Sequence, residues 1–292
     1  MGDEIRLRRA LFVGYADRLA RRREANGTAL VLASGTGAEL GRESGVRDGE
    51  FLVALEVQNG IVRVASRVEP AWIVPTAVTV DHAFDAKTGR VRAWRRERFE
   101  KLILSEHPQA PDPAAAAVAL ADAWLGGEPD ERNAAWLNRI RFAGLDADLP
   151  ELALRAASAA ATLADIHLAV HAPFELTRDL DRLAPTHLDL PSGRRTELIY
   201  GSDGSVSAAA KLQEVFGLAE TPRIGRHRVP VTLSLLAPNR RPVQTTRDLR
   251  SFWDRTYPGV RKELRGRYPR HPWPEDPWTA PPTARAKPRG GN

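Results

Sequence analysis

The chain has no cysteine in its 292 residues. This excludes a disulfide framework, cysteine-ligated zinc or iron–sulfur chemistry, and any thiol nucleophile. It also suits a reducing cytoplasm, the compartment expected here. No apolar run approaches the roughly 20 residues needed to cross a bilayer, and strand-like pieces such as 28–34 are the densest candidates. The opening MGDEIRLRRALFVGYADRLARRR places charges on both sides of a short apolar patch, so it lacks the core of a secretory signal. A soluble chain with no membrane partner is expected.

Catalytic signatures are missing as well. An ATPase motor needs a Gly-rich loop ending in Lys-Ser or Lys-Thr to cradle phosphates, and no such string occurs. The nearest, SGTG at 34–37, lacks the lysine and reads as a tight turn in a β-rich neighbourhood. There is no Asp-Glu-x-His string and no Gly-x-Ser-x-Gly elbow. His167 and His171 stand at i and i+4 on an expected helix, near Asp165 and Glu175, but the glutamate that zinc proteases carry between the histidines is absent. Satisfied or exposed histidines are the simpler reading. No catalytic residue, metal or cofactor is expected in this chain.

What is present is positive charge, unevenly placed. The net charge is +6 with a pI near 10.0. Residues 239–292 hold 13 Arg or Lys against 5 Asp or Glu, a local +8 that leaves −2 for the rest. Within that tail, FWDRTYPGVRKELRGRYPRHPWPEDPW at 252–278 interleaves cations with Phe252, Trp253, Tyr257, Tyr268, Trp273 and Trp278. Cations neutralise phosphates and aromatic faces stack on unpaired bases, so the pattern suits single-stranded RNA or DNA. The candidate contacts are Arg261, Lys262, Arg265, Arg267, Tyr268, Arg270 and Trp273. The competing reading is a solvated helix face, with Phe252 and Trp253 in the core and Trp273 anchoring the tail. Arg18 and Arg21 to Arg23 pose the same choice near the N-terminus.

With 42% hydrophobic and 27% charged residues, the composition is globular and the length allows two cores. Leu7, Leu11, Tyr15 and Leu19 predict a helix over 6–25 ended by Asn26-Gly27. Short β-rich runs follow, with hairpin turns at Asn59-Gly60 and at 85–89, which predict a small barrel or sandwich over 28–107. Three prolines in 105–113 mark a linker, placed at 108–113. Alanine- and leucine-rich helices are expected near 114–125, 130–142, 150–169 and 174–184. Beyond them come a strand at 196–200, a helix at 208–216, strands at 229–236 and 243–245, a helix opened by a Thr245/Asp248 capping arrangement, a helix at 258–265 and a proline-rich tail. The fold class is α+β: an N-terminal β-barrel, a helical middle layer and a C-terminal mixed region.

Several long strings resemble the C-terminal domain of bacterial HrpB-type DEAH-box ATP-dependent helicases. They are PSGRRTELIY at 191–200, KLQEVFGLAETPRI at 211–224, VPVTLSLLAPNRRPVQTTRDLRSFW at 229–253 and VRKELRGRYPRHPWPEDPWTAPPT at 260–283. ALFVGYADRLARRR followed by GEFLVALEV resembles the junction between the helical region and the oligonucleotide-binding (OB)-like domain of DEAH helicases. The resemblance implies a helical remnant at 1–27, an OB-like domain at 28–107 and an HrpB C-terminal-like domain at 114–292, helical to 190 and mixed beyond. It further implies an RNA helicase family whose motor motifs have no counterpart in these residues. The expected role is therefore accessory, binding single-stranded nucleic acid either as a truncated gene product or as a subunit beside a separately encoded motor. The alternative is a protein-interaction platform without nucleic-acid affinity.

Overall fold

The computed structural model describes residues 2–283. Arg285, Lys287 and Arg289, which contribute to the basic tail, and the end of the proline-rich segment lie outside the described residues. Two compact units divide at Leu120/Ala121.

In the first unit, helix α1 (Gly2–Gly14) leads through one 3-10 turn into strands β1 (Leu19–Arg22), β2 (Ala29–Leu32), β3 (Gly37–Leu40), β4 (Phe51–Gln58) and β5 (Ile61–Val68). These five close a barrel in the order β1-β2-β3-β5-β4. β1 pairs antiparallel with both β2 and β4, and β3 runs parallel to β5. Strands β6 (Ala77–Asp85), β7 (Arg90–Phe99) and β8 (Leu102–Gln109) form a separate antiparallel meander.

The run FLVA that opens β4 is buried throughout, although a strand shows alternate residues to opposite faces. Both faces have something to bury against. Leu52 and Ala54 join Ala20, Leu30, Leu40 and Val62 in one apolar cluster. Phe51 and Val53 join Leu19, Val68, Leu102 and Phe12 of α1 in another. The Asn59-Gly60 turn has positive φ at both residues (50° and 78°), the two-residue hairpin geometry that matches strand twist.

Three expectations for this unit need correction. The helix over 6–25 stops at Gly14, and Leu19–Arg22 is a strand, because Leu19 and Ala20 are drawn into the two cores while the backbone pairs on both edges. The small barrel or sandwich expected over 28–107 is a closed five-strand barrel, which also takes in β1, with the three-strand meander as a separate sheet. The proline-rich 105–109 piece continues β8, with Pro108 opposite Trp94 on an edge strand, the place in a sheet where proline is tolerated.

The second unit begins within α2 (Pro113–Leu125) and continues with α3 (Glu131–Ala143), α4 (Leu149–Ser158), α5 (Leu168–His171) and α6 (Phe174–Leu183). Asp130 and Asp148 cap α3 and α4 by accepting from Asn133 N and Glu151 N. The helix expected over 150–169 ends at Ser158. There the Thr162 hydroxyl and N–H bond Asp165 at 2.8 and 2.9 Å, while the buried Asn133 amide donates to Ile166 O and accepts from Leu168 N.

Strands β9 (His187–Asp189), β10 (Arg195–Tyr200) and β11 (Val206–Lys211) follow, then the small pair β12 (Arg223–Ile224) and β13 (Val229–Pro230). β14 (Thr232–Leu236) and β15 (Pro242–Thr246) complete a sheet ordered β15-β14-β11-β10-β9, with β11 parallel to β14. The helix expected at 208–216 is β11 plus one 3-10 turn. Val206, Ala208 and Ala210 alternate into the core between two partner strands, which overrides alanine's helix propensity. α7 (Leu249–Ser251) passes through a π-helical turn at Phe252–Thr256 into α8 (Tyr257–Arg267). Asp248 itself is the cap, accepting from Ser251 N; Thr246, not Thr245, bonds the Asp248 N–H.

Leu52→Ala is expected to cost about 2–5 kcal/mol in urea unfolding, whereas Val64→Ala, at a 45%-exposed site, stays within about 0.5 kcal/mol. Glu69 accepts from Arg67 (2.6 Å) and Arg8 (2.7 Å), and these bonds hold its carboxyl below the usual 4.5. A depressed carboxylate contributes stability that is present above its unfolded pKa and lost as pH falls through the folded value. Glu69→Gln therefore flattens the loss of stability of the protein below about pH 4.5, read by denaturant titration across pH 3–6.

Candidate nucleic-acid interface

β1 carries Arg21 and Arg22 on opposite faces, and their fates differ. Arg22 is 6% exposed and is held by carbonyls alone: Nε to Gly49 O at 2.8 Å, one Nη to Gly27 O and the other to Val46 O at 3.2 Å. It clips two loops to the barrel, with a bond from each of its three nitrogens. Arg21 donates to Glu50 Oε1 at 2.8 Å and to Ile103 O at 2.7 Å, with its guanidinium 5.7 Å from the Phe51 ring centroid. Arg23 and Lys101 are exposed, and their side chains make no hydrogen bond or ion pair among the described residues.

These groups meet. A cleft of about 520 Å³ is lined by Arg21, Arg22, Arg23 and Lys101 over a floor of Val31, Leu102 and Ile103. A second of about 330 Å³ shares the same three arginines with residues 24–26, Gly49 and Glu50. The SGTG piece is a hairpin turn, closed by Gly35 N to Leu32 O at 2.8 Å and Leu32 N to Thr36 O at 2.9 Å. A Cβ at Gly35 would stand 3.2 Å from Lys101 Cδ, so the glycine leaves room for that lysine beside the cleft. Lys101 was not singled out from sequence, because nothing local ties a turn lysine to arginines some eighty positions earlier.

The tail residues are divided by the structure. Arg261 donates to Trp273 O and Glu275 at 2.9 Å each, and Arg267 pairs with Glu263 at 3.4 Å. Trp273 is only 7% exposed, with its indole N–H on Tyr268 O at 2.9 Å. Tyr268 is half-buried against His271. Lys262, Arg265 and Arg270 project from α8 and the turn after it, exposed and with no ion pair among the described residues. Phe252, Trp253, Phe216 and Tyr257 form an aromatic core with centroids 5.0–6.3 Å apart. Burial raises the Tyr257 hydroxyl pKa well above its usual value, and that of Tyr200 is pushed up to about 12.

The histidine pair does not sit on one helix. His167 precedes α5 and meets Arg132 at 3.3 Å, and no metal-binding group of three acidic or histidine side chains occurs among the described residues.

Residues 150–277 match the family model HrpB_C, described as ATP-dependent helicase C-terminal. The chain is 31% identical over 327 aligned positions to the ATP-dependent RNA helicase HrpB of Escherichia coli (strain K12), an alignment covering 94% of this chain and 38% of that protein. The chain belongs to the HrpB-type helicase family. It corresponds to the C-terminal region of HrpB, spanning well under half the length of that relative. Two crystal structures of Escherichia coli HrpB, one titled a DExH-box NTPase and the other a DEAH/RHA helicase, share 29% identity with it. They cover 96% and 90% of this chain, and this chain covers 39% and 37% of theirs, with TM-scores of 0.46 and 0.47. The α8 cations fall inside the HrpB_C match and the arginines of β1 outside it. No helix among the described residues is long and apolar enough to cross a membrane.

Because Trp273 is enclosed, Trp273→Ala is expected to destabilise the second unit by about 3–5 kcal/mol. Lys262→Ala should leave its unfolding midpoint within experimental error, a contrast measured by chemical denaturation of the two variants side by side.

Proposed function

We propose that this HrpB-type C-terminal region holds single-stranded nucleic acid, RNA foremost, for an ATP-dependent helicase motor and hydrolyses no ATP through its own residues. The observation that carries the reading is the cleft in which Arg23 and Lys101 stand without counter-ions among the described residues, beside the fixed Arg21. Cations left unpaired in a concave, partly apolar site attract phosphates and release counter-ions on binding.

The barrel supports this further. Its order β1-β2-β3-β5-β4, with β3 parallel to β5, accords with an oligonucleotide-binding fold, which binds strands near its β2–β3 face and the loop after its first strand. Lys262, Arg265 and Arg270, with Tyr268, are the second set of candidate contacts. The preference for RNA rests on the Escherichia coli relative, which is an ATP-dependent RNA helicase by name. An ATP-dependent helicase motor is the partner this role requires, and a reducing, cytoplasmic setting suits a chain without cysteine.

One observation favours a protein-docking role instead: Val170 and Phe174 are 75% and 74% exposed, an apolar pair at α5 and the start of α6.

Fluorescence polarisation of the full chain with single-stranded RNA, single-stranded DNA and duplex over a salt series tests the reading. Single strands are expected to bind, with log K falling against log salt. Arg23→Ala/Lys101→Ala should flatten that slope by roughly 0.7 per lost contact, and Lys262→Ala/Arg265→Ala/Arg270→Ala should do so by its own share. Absence of binding at low salt would overturn the proposal and leave protein docking.

A further inference from the structure

The second unit carries its own concentration of positive charge, far along the sequence from the barrel cleft. A cleft of about 260 Å³ is lined by Arg194, Arg195, Lys211 and Arg240, with Glu214 as its one acidic wall. Its floor includes Leu190, Ala209 and Leu236, and Thr196 stands at its side. Sheet geometry assembles it. Lys211 ends β11 opposite Leu236 of the parallel β14, and Arg195 opens the antiparallel β10.

The acid present is already committed. Glu214 Oε1 accepts from Arg194 at 2.9 Å and Oε2 accepts from the Lys211 backbone N–H at 3.1 Å, with the carboxylate side chain 7% exposed. Arg195 pairs with Asp189 at 3.1 Å, but that carboxylate is 84% exposed and therefore screened. The Lys211 ammonium and the Arg240 guanidinium have no hydrogen-bond or ion-pair partner among the described residues. Four cations thus face one spent carboxylate.

Backbone conformation adds a second observation. Arg240 holds φ at +65°, in a turn where glycine or asparagine would sit with less strain. The turn is closed by Arg240 N to Ala237 O at 2.9 Å and Ala237 N to Arg241 O at 2.8 Å. Asn239 Oδ1 accepts from Arg241 N, so the residue most suited to the left-handed region sits one position earlier and closes the turn instead. A long cation is kept at the strained position, at the rim of a cleft that already has three others.

We infer that this cleft is a phosphate-binding site of the second unit, with Lys211 and Arg240 as its main ligands and Arg194, oriented by Glu214, at its wall. The ligand is a phosphate group, carried either by the backbone of a nucleic-acid strand or by a small free phosphate. The site is independent of the barrel cleft and does not rest on the reading proposed for it.

The test uses the full chain and a Lys211→Met/Arg240→Gly variant. Methionine keeps the aliphatic stem of the lysine, and glycine suits the positive φ, so the Arg194–Glu214 pair and the fold are retained; a matching thermal melt checks this. Inorganic phosphate is titrated at constant ionic strength while backbone amide resonances of residues 194–196, 211 and 240–241 are followed by NMR, with chloride as control. Saturable shifts in the wild type, reduced at least tenfold in apparent affinity in the variant, are expected. The same pair is then compared for single-stranded RNA binding over salt. A slope flatter by about 1.4, the share of two phosphate contacts, identifies a strand backbone as the source. An unchanged slope with phosphate binding intact identifies a small free phosphate. No saturable shift with phosphate, together with an unchanged RNA slope, overturns the site. Should the chain bind no RNA at all, the phosphate titration still decides.

Discussion

The first half of strand β4, Phe51 to Ala54, is enclosed on both faces, and the first unit is arranged around that constraint. A strand with water on one side can slip by one residue only by exchanging its faces, but here each face meets a differently shaped cluster. Phe51 and Val53 must find Phe12, Leu19 and Leu102, while Leu52 and Ala54 must find Leu30, Leu40 and Val62. Register is thereby fixed between β4 and both of its partners. Because β1 is one of those partners, Arg21 and Arg22 acquire fixed and opposite directions. The ring of Phe51 then serves twice, as core filler and as the plane beside which the Arg21 guanidinium rests.

In the second unit the comparable discipline comes from polar groups. Buried Asn133 satisfies two backbone groups of the 166–168 segment and so replaces the helix hydrogen bonds that end at Ser158. The aromatic core is tied down at its edges by the Trp253 indole on Leu218 O and the Tyr257 hydroxyl on Pro274 O. A buried donor left without an acceptor is costly, so such bonds specify one packing more sharply than apolar contact alone.

The turn-bounded β-rich runs of β4 and β5 were legible in sequence, as were helices α2, α3 and α6. Each is written in local chemistry: a β-rich run, an Asn-Gly turn, a stretch rich in alanine and leucine. The failures share a cause. Leu19–Arg22 continues a helical spacing and Val206–Lys211 is rich in alanine, yet both are strands because partners on both sides claim their backbones, a neighbouring strand on one side and a distant one, β4 or β14, on the other. The candidate site divided in the same way. The tail's interleaving of cations and aromatics was visible, but Trp273 and Arg261 are bound to each other and to the chain nearby, whereas Lys101 joins Arg23 only through the fold. The resemblance to HrpB-type helicases was carried by long strings whose order no short pattern imitates.

The segment after α8 returns to the body of its unit: Gly217 N bonds Pro277 O at 2.9 Å, Thr283 N bonds Gln213 O at 2.9 Å, and Trp273 packs inside. Seen from the ribosome, this sets a schedule. The chain from 191 to 267 emerges with Phe216, Phe252, Trp253 and Tyr257 in hand but without the strap that seals them. Vectorial synthesis therefore leaves an aromatic surface open until residues 268–283 have cleared the exit tunnel, and only then can the second unit seal its core.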